Sequence, residues 1–191
     1  MAKLKGSKTE QNLLKAFAGE SQARNRYTYF AKKAREEGYM QINNIFLETA
    51  ENEKEHAKVF FKYLEGGDVE ITATYPAGKI GDTLENLTAA ATGEKFEWSS
   101  LYPEFAKIAS KEGFDKVANT FEMISKAEKF HEARYRALIE NVEHKSVFKK
   151  DCSQKWHCIN CGYIHEGKSA PAECPSCSHK KEYFELLAEN Y

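Results

Sequence analysis

The feature that most constrains this chain is a set of ionisable residues placed where apolar ones belong. Over residues 114–145 the seam Val117, Phe121, Ile124, Glu128, His131, Tyr135, Leu138 and Val142 advances by steps of four and three throughout. That is the period of a helix facing a bundle core. Residues 39–65 carry the same pattern in Ile42, Phe46, Thr49, Glu53, His56, Phe60 and Tyr63. Each seam therefore takes a Glu-x-x-His pair inward. An unpaired buried charge is strongly destabilising, so such residues are paired or bind metal.

The chain writes this plan twice. Residues 10–37 and 83–112 also read as amphipathic helices, the first with Leu13, Phe17, Glu20, Tyr27, Ala31 and Ala34 on one face. Gly38 and Gly113 stand at the two turns, where helix ends favour glycine. Tyr27 through Gly38 matches Tyr102 through Gly113 at an offset of 75, and Glu53 and His56 map onto Glu128 and His131 at the same offset. Gly19-Glu20 maps onto Gly93-Glu94 at an offset of only 74. The third helix thus holds one extra residue between Glu94 and Tyr102, in the stretch containing Glu97. An extra residue inside a helix is typically absorbed as a π-bulge, a feature common at functional sites. Residues 66–82, with Gly66, Gly67, Pro76, Gly78 and Gly81, read as a long connection. The expected fold is mainly α: two helical hairpins joined by a long crossover into a pseudo-symmetric four-helix bundle.

The ligand inventory follows from phase and height. Of Glu51, Glu53 and Glu55, only Glu53 is in phase with its seam. Positions i and i+3 share a helix face, so Glu53 with His56, and Glu128 with His131, can each serve one metal cluster. Ferritin-like di-metal bundles add one glutamate from each of the other two helices, here Glu20 and Glu94. Glu20 lies 18 residues before Gly38 and Glu53 lies 15 after it, roughly 27 and 22 Å along their helices. The second hairpin repeats those spacings within one residue, so the four sets meet in one layer. Carboxylate mixed with imidazole suits iron or manganese, with zinc as a further candidate. Glu97 is either a further ligand or a neighbour of the site, depending on where the bulge falls. Tyr27 and Tyr102, two turns from Glu20 and Glu94, either donate hydrogen bonds to ligand carboxylates or are core tyrosines satisfied elsewhere.

All five cysteines fall between Cys152 and Cys177. Cys158, Cys161, Cys174 and Cys177 form C-x2-C-x12-C-x2-C, the spacing of a tetrahedral four-cysteine metal site. A unit as small as 152–191 needs such a staple. From spacing alone, a structural zinc ribbon is favoured over an iron site. Cys152 is outside the pattern and reads as a plain thiol; His157, His165 and His179 read as surface residues. The expected organisation is a bundle over 1–146, a linker at 147–151 and a metal domain over 152–191.

Composition removes other classes. With 41% hydrophobic and 30% charged residues the chain is globular rather than disordered, and a net charge of −1 gives no basic bulk for nucleic acid. No apolar run approaches the roughly 20 residues of a membrane span. The segment from Met1 to Ser7 lacks the apolar core of a signal peptide, so a cytoplasmic location with reduced thiols is expected.

With Glu20, Glu53-x-x-His56, Glu94-x-x-Glu97, Glu128-x-x-His131 and the four cysteines together, the chain resembles the rubrerythrins over nearly its whole length. The Cys-x-x-Cys-Gly-Tyr and Cys-Pro-x-Cys details are also similar to rubredoxin, the one-iron electron carrier, although the spacer between pairs is shorter here. The resemblance implies a ferritin-like di-iron bundle with a C-terminal rubredoxin-like domain. It implies a non-haem peroxidase that reduces hydrogen peroxide to water with electrons from NAD(P)H through separate redox proteins. By the same resemblance Glu53 and Glu128 bridge the irons, and Glu20 and Glu94 are terminal ligands. Glu97 and His56 exchange on one iron, His131 binds the other, and a head-to-tail homodimer brings the one-iron domain to the partner's centre. The alternative expectation is an iron-oxidising bundle carrying a structural metal ribbon.

Overall fold

The computed structural model describes residues 3–190; Met1, Ala2 and Tyr191, which fall in the expected domains, lie outside the described residues. Helix α1 runs Lys8–Glu36 and α2 runs Met40–Phe61. α1 starts two residues before the expected position 10. The Ser7 side chain accepts from the Glu10 N–H, and the Gly6 N–H donates to Glu10 Oε2 at 2.6 Å. α2 ends four residues before the expected 65. Its last turn tightens through Tyr63 N–H to Phe60 O and Leu64 N–H to Phe61 O. Gly66 and Gly67, at φ +84° and +83°, then lead the chain away.

The third bundle helix comes in three parts: α3 over Thr83–Phe96, a π-turn over Glu97–Leu101, and α4 over Tyr102–Lys111. The extra residue inferred between Glu94 and Tyr102 is absorbed there. Helix α5, Asp115–Glu143, completes the bundle. Asp82 and Glu85 form a capping box at the start of α3. The hairpins also cap each other. Glu37, at the end of α1, accepts from Thr83 N–H at 2.9 Å and Thr83 Oγ1 at 2.6 Å. Its repeat mate Glu112, after α4, accepts from Thr9 N–H at 2.8 Å and Thr9 Oγ1 at 2.6 Å. Each carboxylate meets the electropositive end of a helix in the other hairpin.

The core is divided. One apolar cluster, around Phe30, Ile42, Phe46, Leu87 and Leu138, lies toward the Gly38 end. The other, around Leu13, Phe60, Phe105, Val117 and Phe121, lies toward Gly113. On every helix the buried ionisable residues fall between the two. An aromatic triad flanks each side of that layer: Tyr27, Phe46 and Tyr135 with centroids 5.2–6.0 Å apart, and Tyr102, Phe60 and Phe121 at 5.1–5.8 Å. Close-packed rings above and below the layer hold its helices in register.

The C-terminal unit is a three-stranded antiparallel sheet in the order β2-β1-β3, with β1 Lys149–Cys158, β2 Ile164–Ser169 and β3 Phe184–Leu186. β1 takes in residues 149–151, expected to be linker, because Lys149 pairs with Ser169. Fully buried Trp156 anchors this small core and donates from its indole N–H to Gly167 O at 2.9 Å. The unit seats on the Gly38 end of the bundle. Phe148 stacks on Tyr39 with centroids 6.2 Å apart, and the Glu182 side chain covers Gly38. Among the described residues no helix is long and apolar enough to cross a membrane.

Candidate metal centre

The buried layer brings Glu20, Glu53, Glu94, Glu128 and His131 together at no more than 4% exposure, with His56 half-buried beside them. Glu51 and Glu55, the out-of-phase neighbours, are exposed and pair with Lys54 and Lys58. Glu53 sends Oε2 to His56 Nδ1 at 3.0 Å and Oε1 to His131 Nδ1 at 3.3 Å. Glu128 does the same, with Oε1 at 2.9 Å from His56 Nδ1 and Oε2 at 2.8 Å from His131 Nδ1. Two sets result, each with donor atoms within 4.8 Å of one another: Glu20, Glu53, His56 and Glu128, and Glu53, Glu94, Glu128 and His131. Glu53 and Glu128 belong to both.

The donor set fits metal rather than an internal hydrogen-bond network. Glu20 Oε2, Glu53 Oε1, Glu94 Oε2, both Glu128 oxygens and His131 Nδ1 are buried without a hydrogen-bond partner. Glu53 Oε1 and both Glu128 oxygens stand within 3.3 Å of a histidine nitrogen without a well-formed hydrogen bond to it, and the donor atoms of each set lie within 4.8 Å of one another. Such orphaned groups are too costly to leave unsatisfied. The protonation energetics agree. Burial, then the charges of Glu53 and Glu128, push Glu20 well up. Burial and Glu53 push Glu94 up to about 8. Burial opposes charge on the histidines, but the contacts with Glu128 and Glu53 outweigh it and raise His56 to about 10 and His131 to about 12. Without metal this layer must hold protons; a pair of cations replaces them.

The tyrosines answer the question the sequence left open. Tyr27 O–H donates to Glu94 Oε1, and Tyr102 O–H donates to Glu20 Oε1. Each tyrosine serves the glutamate of the other hairpin. Each unshared carboxylate thus has one oxygen held by a phenol and the other turned into the layer.

Glu97 opens the π-turn and stands outside both donor sets. Burial, then the charges of Glu94 and Glu128, raise its carboxyl well above the usual range. The turn is pinned on α5: Trp98 indole N–H donates to Glu132 Oε2 at 2.7 Å, and Ser125 Oγ donates to Trp98 O at 3.1 Å. Glu97, Tyr27 and Tyr102 line a cavity of about 470 Å³ between α1, the π-turn and crossover residues 72–76. Sequence reasoning missed Arg26, which lines this cavity and whose guanidinium lies 5.9 Å from the centre of the Tyr27 ring. It missed Tyr75 as well, whose hydroxyl donates to Lys15 O at 2.8 Å and fastens the crossover over α1. Arg26 sits beside Tyr27 in the sequence, a weak signal; Tyr75 carries none.

In the C-terminal unit Cys158, Cys161, Cys174 and Cys177 gather with Sγ–Sγ distances of 3.8 Å for Cys158–Cys177 and 3.6 Å for Cys161–Cys174. Disulfides are far shorter, whereas metal–sulfur bonds of ~2.3 Å span a tetrahedron with edges of ~3.8 Å. The Tyr163 N–H beside Cys161 lowers its thiol to about 6, which favours the ligating thiolate. Cys152 is exposed and apart from this group. His157, His165 and His179 are half-buried rather than on the surface and belong to no donor set. His179 packs edge-on against Tyr183 at 4.6 Å.

Comparison with known proteins agrees with both sites. The Rubrerythrin family model matches residues 11–139, and the model described as Rubrerythrin, rubredoxin-like domain matches residues 156–185. Rubrerythrin-1 of Clostridium acetobutylicum is 60% identical, and rubrerythrin of Nitratidesulfovibrio vulgaris 53% identical, each over 100% of both chains. Among solved structures, nigerythrin in its mixed-valence state is similar with a TM-score of 0.62 at 33% identity, covering 96% of this chain and 90% of that one. The protein therefore has a di-iron site of carboxylate and histidine ligands in the bundle and a four-cysteine metal site in the C-terminal unit. By sequence, fold and the donor atoms it gathers, the chain belongs to the rubrerythrin family of di-iron oxidoreductases.

Proposed function

We propose that this chain is a non-haem di-iron peroxidase that reduces hydrogen peroxide to water, a defence against oxidative stress. The observation that carries the reading is the sharing of Glu53 and Glu128 between two donor sets, next to a cavity lined in part by Glu97. When bound, the bundle irons supply the two electrons for O–O cleavage and the four-cysteine iron supplies their replacements one at a time. The side chains do the rest. Glu53 and Glu128, common to both donor sets, would hold both irons; Glu20 and Glu94 would each hold one, and His131 would complete its set. His56 and Glu97 would take turns in holding the iron on the Glu20 side. In support, His56 Nδ1 stands inside the donor set while Glu97 waits on the cavity wall. Tyr27 and Tyr102 orient Glu94 and Glu20 and keep phenolic protons at hand where water forms. Cys158, Cys161, Cys174 and Cys177 hold the relay iron.

The functional units are the bundle, 1–146, and the electron-transfer domain, 152–191, with 147–151 leading from the first into strand β1 of the second. Electrons originate in NAD(P)H and arrive through a separate reductase and redox protein. Cys177 shares a cleft with Met40 at the Gly38 end of the bundle. Glu53 lies thirteen residues further along α2, roughly 20 Å at helical rise. That span favours delivery to the centre of a second copy, in a head-to-tail homodimer in the cytoplasm.

The test is to reduce the iron-loaded protein anaerobically and mix it with hydrogen peroxide or dioxygen, following the visible bands of the four-cysteine iron. Fast recolouring with peroxide, much slower recolouring with dioxygen, and loss of the fast phase in Glu97→Ala are expected. No recolouring by peroxide would rule the reading out in favour of an iron-oxidising bundle with a structural ribbon.

A further inference from the structure

The cavity that Glu97 helps to line is larger than hydrogen peroxide requires. A water occupies about 30 Å³ of liquid volume, and peroxide is little larger; the cavity holds about 470 Å³. That volume is typical of sites for small organic ligands. Two glycines help to make the room. Gly19 and Gly93 are repeat mates, the first inside α1 and the second in the last turn of α3 where the helix runs on into the π-turn, and neither has positive φ. Mid-helix glycine costs about 1 kcal/mol relative to alanine, so backbone conformation does not explain them. A Cβ on Gly93 would meet nothing within 4 Å, and one on Gly19 would meet only the Tyr75 ring at 3.5 Å. Glu97 lines the cavity beside Tyr27 and Tyr102, whose hydroxyls are held by Glu94 and Glu20 of the metal layer, and Phe96, Phe105 and Tyr75 supply apolar wall.

We infer that this cavity binds small organic hydroperoxides, with the O–O group at Glu97 and the apolar substituent between Gly93, Phe96 and Tyr75. The inference rests on the peroxidase reading and extends its substrate class. The reaction is ROOH + 2e⁻ + 2H⁺ → ROH + H₂O. The O–O bond breaks, one oxygen leaves as water and the other as the alcohol. The electrons come from the reduced redox protein that serves hydrogen peroxide, and the protons come from solvent.

The test has two parts. The full chain loaded with redox-inert zinc is titrated with 2-phenyl-2-propanol, the alcohol formed from cumene hydroperoxide, and followed by NMR. Saturable shifts at Ala73, Tyr75 and Gly93 are expected; no shifts, or shifts elsewhere, overturn the site. The iron-loaded chain is then assayed with cumene hydroperoxide and hydrogen peroxide. Ala73→Phe, which narrows the cavity from the crossover, is expected to lower the ratio of the two kcat/KM values about tenfold, the scale on which pockets discriminate size. Tyr75→Ala, which widens the mouth, raises the ratio. A ratio that neither variant moves overturns the inference. Failure of hydrogen peroxide turnover itself, with the NMR shifts present, overturns the peroxidase reading and with it the hydroperoxide reaction, leaving only an apolar binding site.

Discussion

The hairpin of α1 and α2 and the hairpin of α3 to α5 place the same groups in the same positions almost throughout. Glu53 and His56 answer Glu128 and His131, Tyr27 answers Tyr102, Glu37 answers Glu112, and the flanking aromatic triads match. They part at one point: Tyr27 follows Glu20 by seven residues, whereas Tyr102 follows Glu94 by eight. The added residue becomes the π-turn and sets Glu97 on the cavity wall. Symmetry suffices to hold two metals. Making them chemically different takes a local break in that symmetry.

The largest effect should come from breaking what the hairpins share. Glu128→Ala removes a donor from both sets, so elemental analysis should find both bundle metals lost. Glu20→Ala should cost only the metal on its own side. Equal losses would contradict the bridging role. Next is the break itself. Deleting Ser99 restores the seven-residue spacing and turns Glu97 away from the cavity. Peroxide turnover should then fall about a hundredfold, the scale of a misplaced reacting group, with bundle metal retained. Retained turnover would show that the π-turn is incidental.

Smaller effects should test the symmetry that remains. Tyr27→Phe and Tyr102→Phe each remove a hydrogen bond to a ligand carboxylate. Each should weaken metal binding roughly 10–100-fold in chelator competition, and by similar amounts. The smallest effect should come from Glu37→Ala and Glu112→Ala, each of which uncaps a helix in the other hairpin. Thermal unfolding should register small and equal drops in Tm, with turnover intact; a drop in one alone would mean that the two caps bear unequal load.

What the sequence disclosed divides along the same physical line. The helices, the inward phase of Glu53 and Glu128 and the extra residue near Glu97 were legible because each is a matter of period or offset. The crossed bonds of Tyr27 to Glu94 and Tyr102 to Glu20 were legible only as one of two options, since spacing does not say across which helix pair a hydroxyl reaches. Tyr75 was invisible, because residues 66–82 have no period and the contact with Lys15 is tertiary. The start of β1 at Lys149 was also missed. Its pairing with Ser169 and the stack of Phe148 on Tyr39 join residues far apart in the chain.

The proposed chemistry depends most directly on Glu97 and His56 serving one metal in turn while His131 serves the other constantly. Crystal structures of the iron-loaded protein in its oxidised and fully reduced states would test it. The prediction is Glu97 bound in one state and His56 Nδ1 in the other, with His131, Glu53 and Glu128 bound in both. The same ligands on both irons in both states, with Glu97 left on the cavity wall, would contradict it.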